Sequence, residues 1–207
     1  MEYIDMEKWP RKEHFRFFQS MDYPQTNVCM NLDVTHFLKF VKDNNLSFYY
    51  SMIFAATHTA NEIDSFRYRI RGEGVVLHDR VHPSFTDLSG GTELFKYVSV
   101  EMEDDLAAFC GHAKEASESQ KEYLPKDVRD DVLYITCLPW ISFTALTHTM
   151  TFNKKDSVPR ISWGRYFSEG EKVLLPFSVQ VNHALLDGLE IGKYVSVLQN
   201  YMDGLSG

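Results

Sequence analysis

Along the chain, the first clear period of apolar positions is helical: Val34, Phe37, Leu38 and Val41 recur at i, i+3, i+4 and i+7. Asp33 stands where it would cap that helix, and Asn44-Asn45 where the helix would stop. A second helical pattern runs from Ser47 to Ile63. At Phe66 the period changes to two. Arg67-Tyr68-Arg69-Ile70-Arg71 alternates, Gly72-Glu73-Gly74 turns, and Val75-Val76-Leu77 resumes, which predicts a hairpin. His82 to Thr86 and Leu94 to Val100 read as further strands. Glu103 to Glu122 reads as a helix, acidic in its first turn, with Leu106, Phe109, Cys110 and Ala113 on one face. The last third predicts strands at Val132 to Cys137, Trp140 to Met150, Arg160 to Phe167 and Val173 to Val181, then a closing helix from about Gly188 to Met202. Strands and helices follow one another irregularly, which favours an α+β sandwich over a doubly wound sheet.

Composition narrows the functional classes. With 207 residues, 44% of them hydrophobic, and no Pro/Gly/Ser-rich linker, the chain is expected to form one domain over residues 1–207. The 21 Lys and Arg are scattered among 29 Asp and Glu, so no basic face for nucleic acid is expected. No apolar run approaches the length of a membrane span. Cys29, Cys110 and Cys137 form no CxxC pair, and Met-Glu-Tyr-Ile-Asp at the start has neither the basic region nor the apolar run of a signal peptide. A cytoplasmic protein with reduced thiols is expected. His14, His36, His58, His78, His82, His112 and His148 show no metal-ligand spacing, so no metal is expected and these histidines read as structural.

Chemistry concentrates near the C-terminus, where the apolar run Val173 to Val181 leads through Asn182 to His183. Taken alone, His183 can be a strand-end histidine satisfied by a backbone carbonyl. Asp187-Gly188-Leu189-Glu190 fits a capping box, with Ile191, Tyr194, Val195, Leu198 and Met202 packing the helix that follows.

The string His183-x-x-x-Asp187-Gly188 after an apolar strand resembles the signature of the chloramphenicol acetyltransferases and their coenzyme A-dependent relatives. The likeness extends to Trp9-Pro10-Arg11-Lys12-Glu13-His14-Phe15, to Pro139-Trp140-Ile141-Ser142-Phe143-Thr144, to Gly164-Arg165-Tyr166-Phe167 and to Lys172-Val173-Leu174-Leu175-Pro176. It therefore covers nearly the whole length.

The resemblance implies the fold of the coenzyme A-dependent acyltransferases, a mixed sheet flanked by helices. It implies direct acetyl transfer from acetyl-CoA as co-substrate to a hydroxyl of chloramphenicol or a similar small molecule, by a homotrimer with sites at the subunit boundaries. His183 would be the general base, suited to the task by an imidazole pKa near neutrality. Asp187 would pair with Arg11 rather than with His183. Phe17, Phe18, Cys29 and Phe95 would line an apolar acceptor slot, with Ser162 on the acceptor side, and Arg165 and Tyr166 would lie along the coenzyme A channel. Four positions depart from the family. Ala145 replaces the oxyanion-binding serine, leaving that role to a water, a backbone amide or Thr147. Phe18 replaces a tyrosine that contacts the antibiotic, Ser162 replaces a threonine, and Asn182 replaces a histidine as a packing change with little catalytic weight. Two further readings follow from these departures: transfer to a different hydroxylated acceptor, or a low-turnover homologue that binds coenzyme A or an aromatic ligand.

Overall fold

The computed structural model describes residues 1–124 and 129–205. In chain order the elements are β1 (Glu2–Tyr3), α1 (Lys12–Gln19), β2 (Gln25–Asp33), α2 (Thr35–Asp43), α3 (Phe48–Ala60), α4 (Asp64–Arg67), β3 (Tyr68–Arg71), β4 (Gly74–Leu77), β5 (His82–Leu88), β6 (Phe95–Ser99), α5 (Leu106–Ser119), β7 (Val132–Leu138), β8 (Arg160–Gly164), β9 (Phe167–Glu169), β10 (Lys172–Asn182) and α6 (Gly188–Gly204).

The main sheet runs β2-β10-β8-β7-β5-β6, with β9 beside β10; β1, β4 and β3 form a smaller one. It is mixed: β7 is parallel to β5 and β8, and the other pairings are antiparallel. The two faces differ sharply. Phe85, Val98, Ile135, Ile161, Phe177 and Val179 are buried on one, where α2, α3, α5 and α6 complete the core. On the other, two polar rows cross the strands. Ser99, Ser84, Tyr134, Arg160, Gln180 and Asn27 stand in register in the first; Thr136, Ser162, Ser178 and Cys29 form the second, two residues along each strand. The sandwich predicted from the sequence is therefore present as helices on one sheet face, with a polar face opposite.

Most elements fall where the hydrophobic pattern puts them, with four corrections. Trp140 to Met150 is not a strand: it leaves β7, whose two edges are paired with β5 and β8, and runs on without a ladder of its own, held by side-chain contacts such as Asn27 to Leu146 O and Ser162 to His148. Its alternation survives as alternating exposure: Leu146, His148 and Met150 are partly buried, and Ala145, Thr147 and Thr149 face out. Arg160 to Phe167 divides into β8 and β9, interrupted at Arg165-Tyr166. Asp33 ends β2 instead of occupying the cap position of α2, which is Val34, although its carboxylate still accepts from the Thr35 amide at 3.1 Å. The third and fifth helices are shorter than their patterns, α3 ending at Ala60 and α5 running from Leu106 to Ser119 behind an Asp105 cap.

Candidate functional site

β10 is buried along nearly its whole length and delivers His183 immediately beyond its last residue, into a turn. The turn is held from both sides. The His183 amide donates to Pro24 O at 2.7 Å, and Asn182 Oδ1 accepts from the Ala184 amide at 3.0 Å. The Asn182 amide group donates to Lys154 O and Asp156 O at 3.0 and 2.9 Å, so this buried side chain is satisfied, as its expected packing role requires.

Arg11, from the segment before α1, closes the turn. Its guanidinium donates to Ala184 O at 3.0 Å, to His183 O at 3.1 Å and to Asp187 Oδ2 at 2.9 Å, a three-pronged use of its planar fork. Asp187 also accepts from the Leu189 amide at 2.9 Å, while Glu190 Oε2 accepts from the Asp187 amide at 3.2 Å, completing the predicted capping box. The Glu190 contact, the Arg11 guanidinium and the Leu189 amide together hold the Asp187 carboxyl well below the usual carboxylate range. Asp187 is thus spent on the clamp and on the helix N-terminus, as expected.

The His183 ring is half-buried and lies flat against Phe18, centroids 4.0 Å apart and planes 11° from parallel; Phe17 meets Phe18 edge-on at 5.1 Å and is itself exposed. Nδ1 is buried and has no hydrogen-bond partner among the described residues. The structure therefore does not satisfy this ring through a backbone carbonyl, the arrangement that a purely structural strand-end histidine would call for.

The other residues singled out from the sequence lie elsewhere. A cleft of about 1040 Å³ at the far end of β8 is lined by Phe95, Arg165, Tyr166, Trp163, Tyr97 and His148, among others. Phe177 on β10 is in register with Trp163, and His183 lies six positions further on, on the order of 20 Å along the strand. Within one chain, then, His183 with Phe17 and Phe18 is separated from Phe95, Arg165 and Tyr166. Tyr166 packs edge-on against Phe48 at 5.5 Å, and Arg165 is exposed, with no ion pair to a described residue. Cys29 sits on β2 in the second polar row and is half-buried. Ser162 is wholly buried in the same row, its hydroxyl 3.2 Å from His148 Nε2. Ala145 and Thr147 are exposed on the same side of their segment, which is pinned by Asn27 to Leu146 O and by that Ser162–His148 contact. Gly164 is required where it stands: a Cβ would lie 2.6 Å from Ile141 O, and the Arg165 amide donates to the same oxygen at 2.7 Å.

Sequence reasoning missed His148, Tyr97 and Thr136 as cleft residues. The alternation from Ala145 to Met150 was the available signal, since it turns His148 inward with Leu146 and Met150.

A mixed sheet of this order with helices on one face is a fold of known class. The fold is that of the coenzyme A-dependent acyltransferases. One solved chloramphenicol acetyltransferase superposes with a TM-score of 0.88 at 21% identity, covering 97% of this chain and 99% of that one. A dihydrolipoamide acetyltransferase from Azotobacter vinelandii superposes at 0.70 with 14% identity, covering 93% and 86%. The chloramphenicol acetyltransferase family model matches residues 1–199. Curated chloramphenicol acetyltransferases from a Klebsiella species and from Escherichia coli are each 33% identical over 207 residues, 99% of this chain and 94% of theirs. The chain belongs to the chloramphenicol acetyltransferase family and is an acyltransferase. Among the described residues, no group of His, Cys, Asp and Glu is arranged to hold a metal ion, and no helix is long and apolar enough to cross a membrane.

Proposed function

We propose that the protein is an acetyl-CoA-dependent O-acetyltransferase acting on a hydroxyl of chloramphenicol or of a similar small molecule, with His183 as general base. The observation that carries this reading is the clamped turn: Arg11 and Asp187 hold the backbone around His183 while its ring stays half-exposed against Phe18. A neutral imidazole nitrogen takes the proton from the acceptor hydroxyl as that oxygen attacks the thioester carbonyl. The carbon–sulfur bond then breaks, the proton passes to the departing sulfur, and the products are the acetyl ester and free coenzyme A. No acyl-enzyme is needed. Exposed Arg165 and Tyr166 on the cleft suit the coenzyme A arm and its phosphates.

The separation of His183 from that cleft within one chain supports assembly as a homotrimer, in which the base of one subunit faces the cleft of its neighbour. Phe17, Tyr23, Val28, Leu94 and Phe152 are exposed apolar side chains available for such contacts. Cys29, Cys110 and Cys137 are free, which suits a cytoplasmic setting.

Thiol release from acetyl-CoA, followed with chloramphenicol and with a panel of other alcohols, tests the function. Chloramphenicol-dependent release supports antibiotic acetylation, and release with other alcohols alone supports a different natural acceptor. Coenzyme A binding without any acceptor-dependent release contradicts the reading and leaves a binding homologue, as the loss of the oxyanion serine at Ala145 would allow.

A further inference from the structure

The cleft does not end at its own walls. A second chamber of about 360 Å³ adjoins it, and the two share Tyr97, Thr136, His148 and Thr149. The chamber floor is the polar sheet face: Ser84, Tyr134 and Arg160 from the first row, and Thr136 from the second. The hydroxyls of Tyr97, Tyr134 and Thr136 hydrogen-bond to no described residue, yet none is among the sealed, unpartnered polar atoms. They therefore face the open cavity, where water or a ligand must satisfy them. Neither arginine on the chamber wall brings a free charge: Asp156 accepts from the Arg160 guanidinium at 2.7 Å, with the group 5.5 Å over the Tyr134 ring, and Asp131 accepts from Arg129 at 2.6 and 2.7 Å. The chamber thus offers hydroxyl donors and acceptors, with little electrostatic reason to prefer an anion.

His148 stands where chamber and cleft meet. One ring nitrogen lies 3.2 Å from the Ser162 hydroxyl, and the other has no described partner. Burial, and then the nearby Arg160, lower its pKa, so at neutral pH the ring is uncharged and carries one donor and one acceptor.

We propose that the acceptor is a small polyhydroxylated molecule, sugar- or polyol-like, and that His148 determines specificity by hydrogen-bonding one of its non-reacting hydroxyls. This rests on the acetyl-transfer reading of the same cleft. Calorimetric binding of methyl glucoside and of 2-phenylethanol to the wild-type protein, to His148→Leu and to Tyr97→Phe tests it, with thiol release from acetyl-CoA measured in parallel and melting curves showing that each variant folds. The wild type should bind the glucoside at least about tenfold more tightly than the apolar alcohol, the effect of one or two hydrogen bonds. His148→Leu should erase that preference, raising KM more than it lowers kcat; Tyr97→Phe should weaken it, and His148→Gln should restore it in part. Equal or tighter binding of 2-phenylethanol, or a preference untouched in His148→Leu, overturns the proposal. The two readings can fail separately. A His148-dependent preference in binding without thiol release from any alcohol removes acetyl transfer alone, whereas thiol release with apolar alcohols only removes this specificity alone.

Discussion

Phe18 and His183 stack face to face at 4.0 Å, joining the helix that opens the chain to the turn that follows its longest strand. With Nδ1 lacking a described hydrogen-bond partner, the aromatic face is what limits the tilt of the imidazole. Phe18→Ala should therefore lower kcat by about tenfold, with a destabilisation of about 1–3 kcal/mol because the side chain is only partly buried. Phe18→Leu, which keeps bulk but not the flat face, should recover stability more than turnover. Steady-state kinetics beside thermal melts separate the two effects, and unchanged kcat in Phe18→Ala would show that the stack orients nothing.

Arg11 and Asp187 clamp the turn that carries His183, and on the proposed mechanism they act by positioning it. Arg11→Lys keeps the charge but cannot serve two carbonyls and a carboxylate together, and should cost about 1–3 kcal/mol of stability along with part of kcat. The Asp187 pKa is depressed in the folded state, so the ionised carboxylate stabilises the fold above the unfolded-chain value of about 3.9. That contribution fades as pH falls from there toward the lower folded value. Melting temperatures of wild type and Asp187→Asn should differ clearly at neutral pH and converge in acid; a gap that stays constant with pH would rule out an ionised Asp187 as the source.

Gly164 allows β8 to pass under the turn at Ile141. Gly164→Ala would drive a methyl group against Ile141 O and the Phe143 ring, and should destabilise the protein by about 1–3 kcal/mol and displace the Pro139–Phe143 segment that borders the cleft. Thermal melts and acetyl-CoA titration should change together. A variant as stable as wild type, with unaltered KM for acetyl-CoA, would mean the turn yields freely.

On the proposed mechanism, Ala145 stands where the family resemblance implies an oxyanion-binding serine. Ala145→Ser should raise turnover several-fold, toward the roughly 10²-fold that such a donor can contribute. Because Ala145 is exposed, the variant should fold like the wild type. Unchanged or lower turnover would indicate that a water, a backbone amide or Thr147 already fills that role.

The parts legible in the sequence were those governed locally. The capping box at Asp187, the helical period from Val34 to Val41 and the alternation through Val132 to Cys137 each reappear as elements, because neighbouring residues alone decide them. α1 and β2 were not read from the pattern, although Thr26, Val28, Met30 and Leu32 do alternate with Asn27, Cys29, Asn31 and Asp33. β2 needed its long-range partner β10 to be recognised as a central pairing. Trp140 to Met150 failed in the opposite direction: it has the period of a strand but pairs with none, because alternation reports which side chains turn inward and not whether a ladder forms. His183 and the Arg11–Asp187 pair were reached through family resemblance, since a capped helix alone gives no reason to look 176 positions away for a partner. The cleft role of His148 depends on the register of β7 and β8 beneath it, which no local signal carries.

The central claim is that the His183 imidazole accepts the acceptor's proton, and the most direct measurement is kcat for acceptor-dependent thiol release from acetyl-CoA in wild type and in His183→Ala, with folding verified by thermal melt. General-base catalysis predicts a loss of about 10²–10⁴-fold in kcat with little change in melting temperature. A His183→Ala enzyme that folds normally and turns over at nearly the wild-type rate would contradict the account.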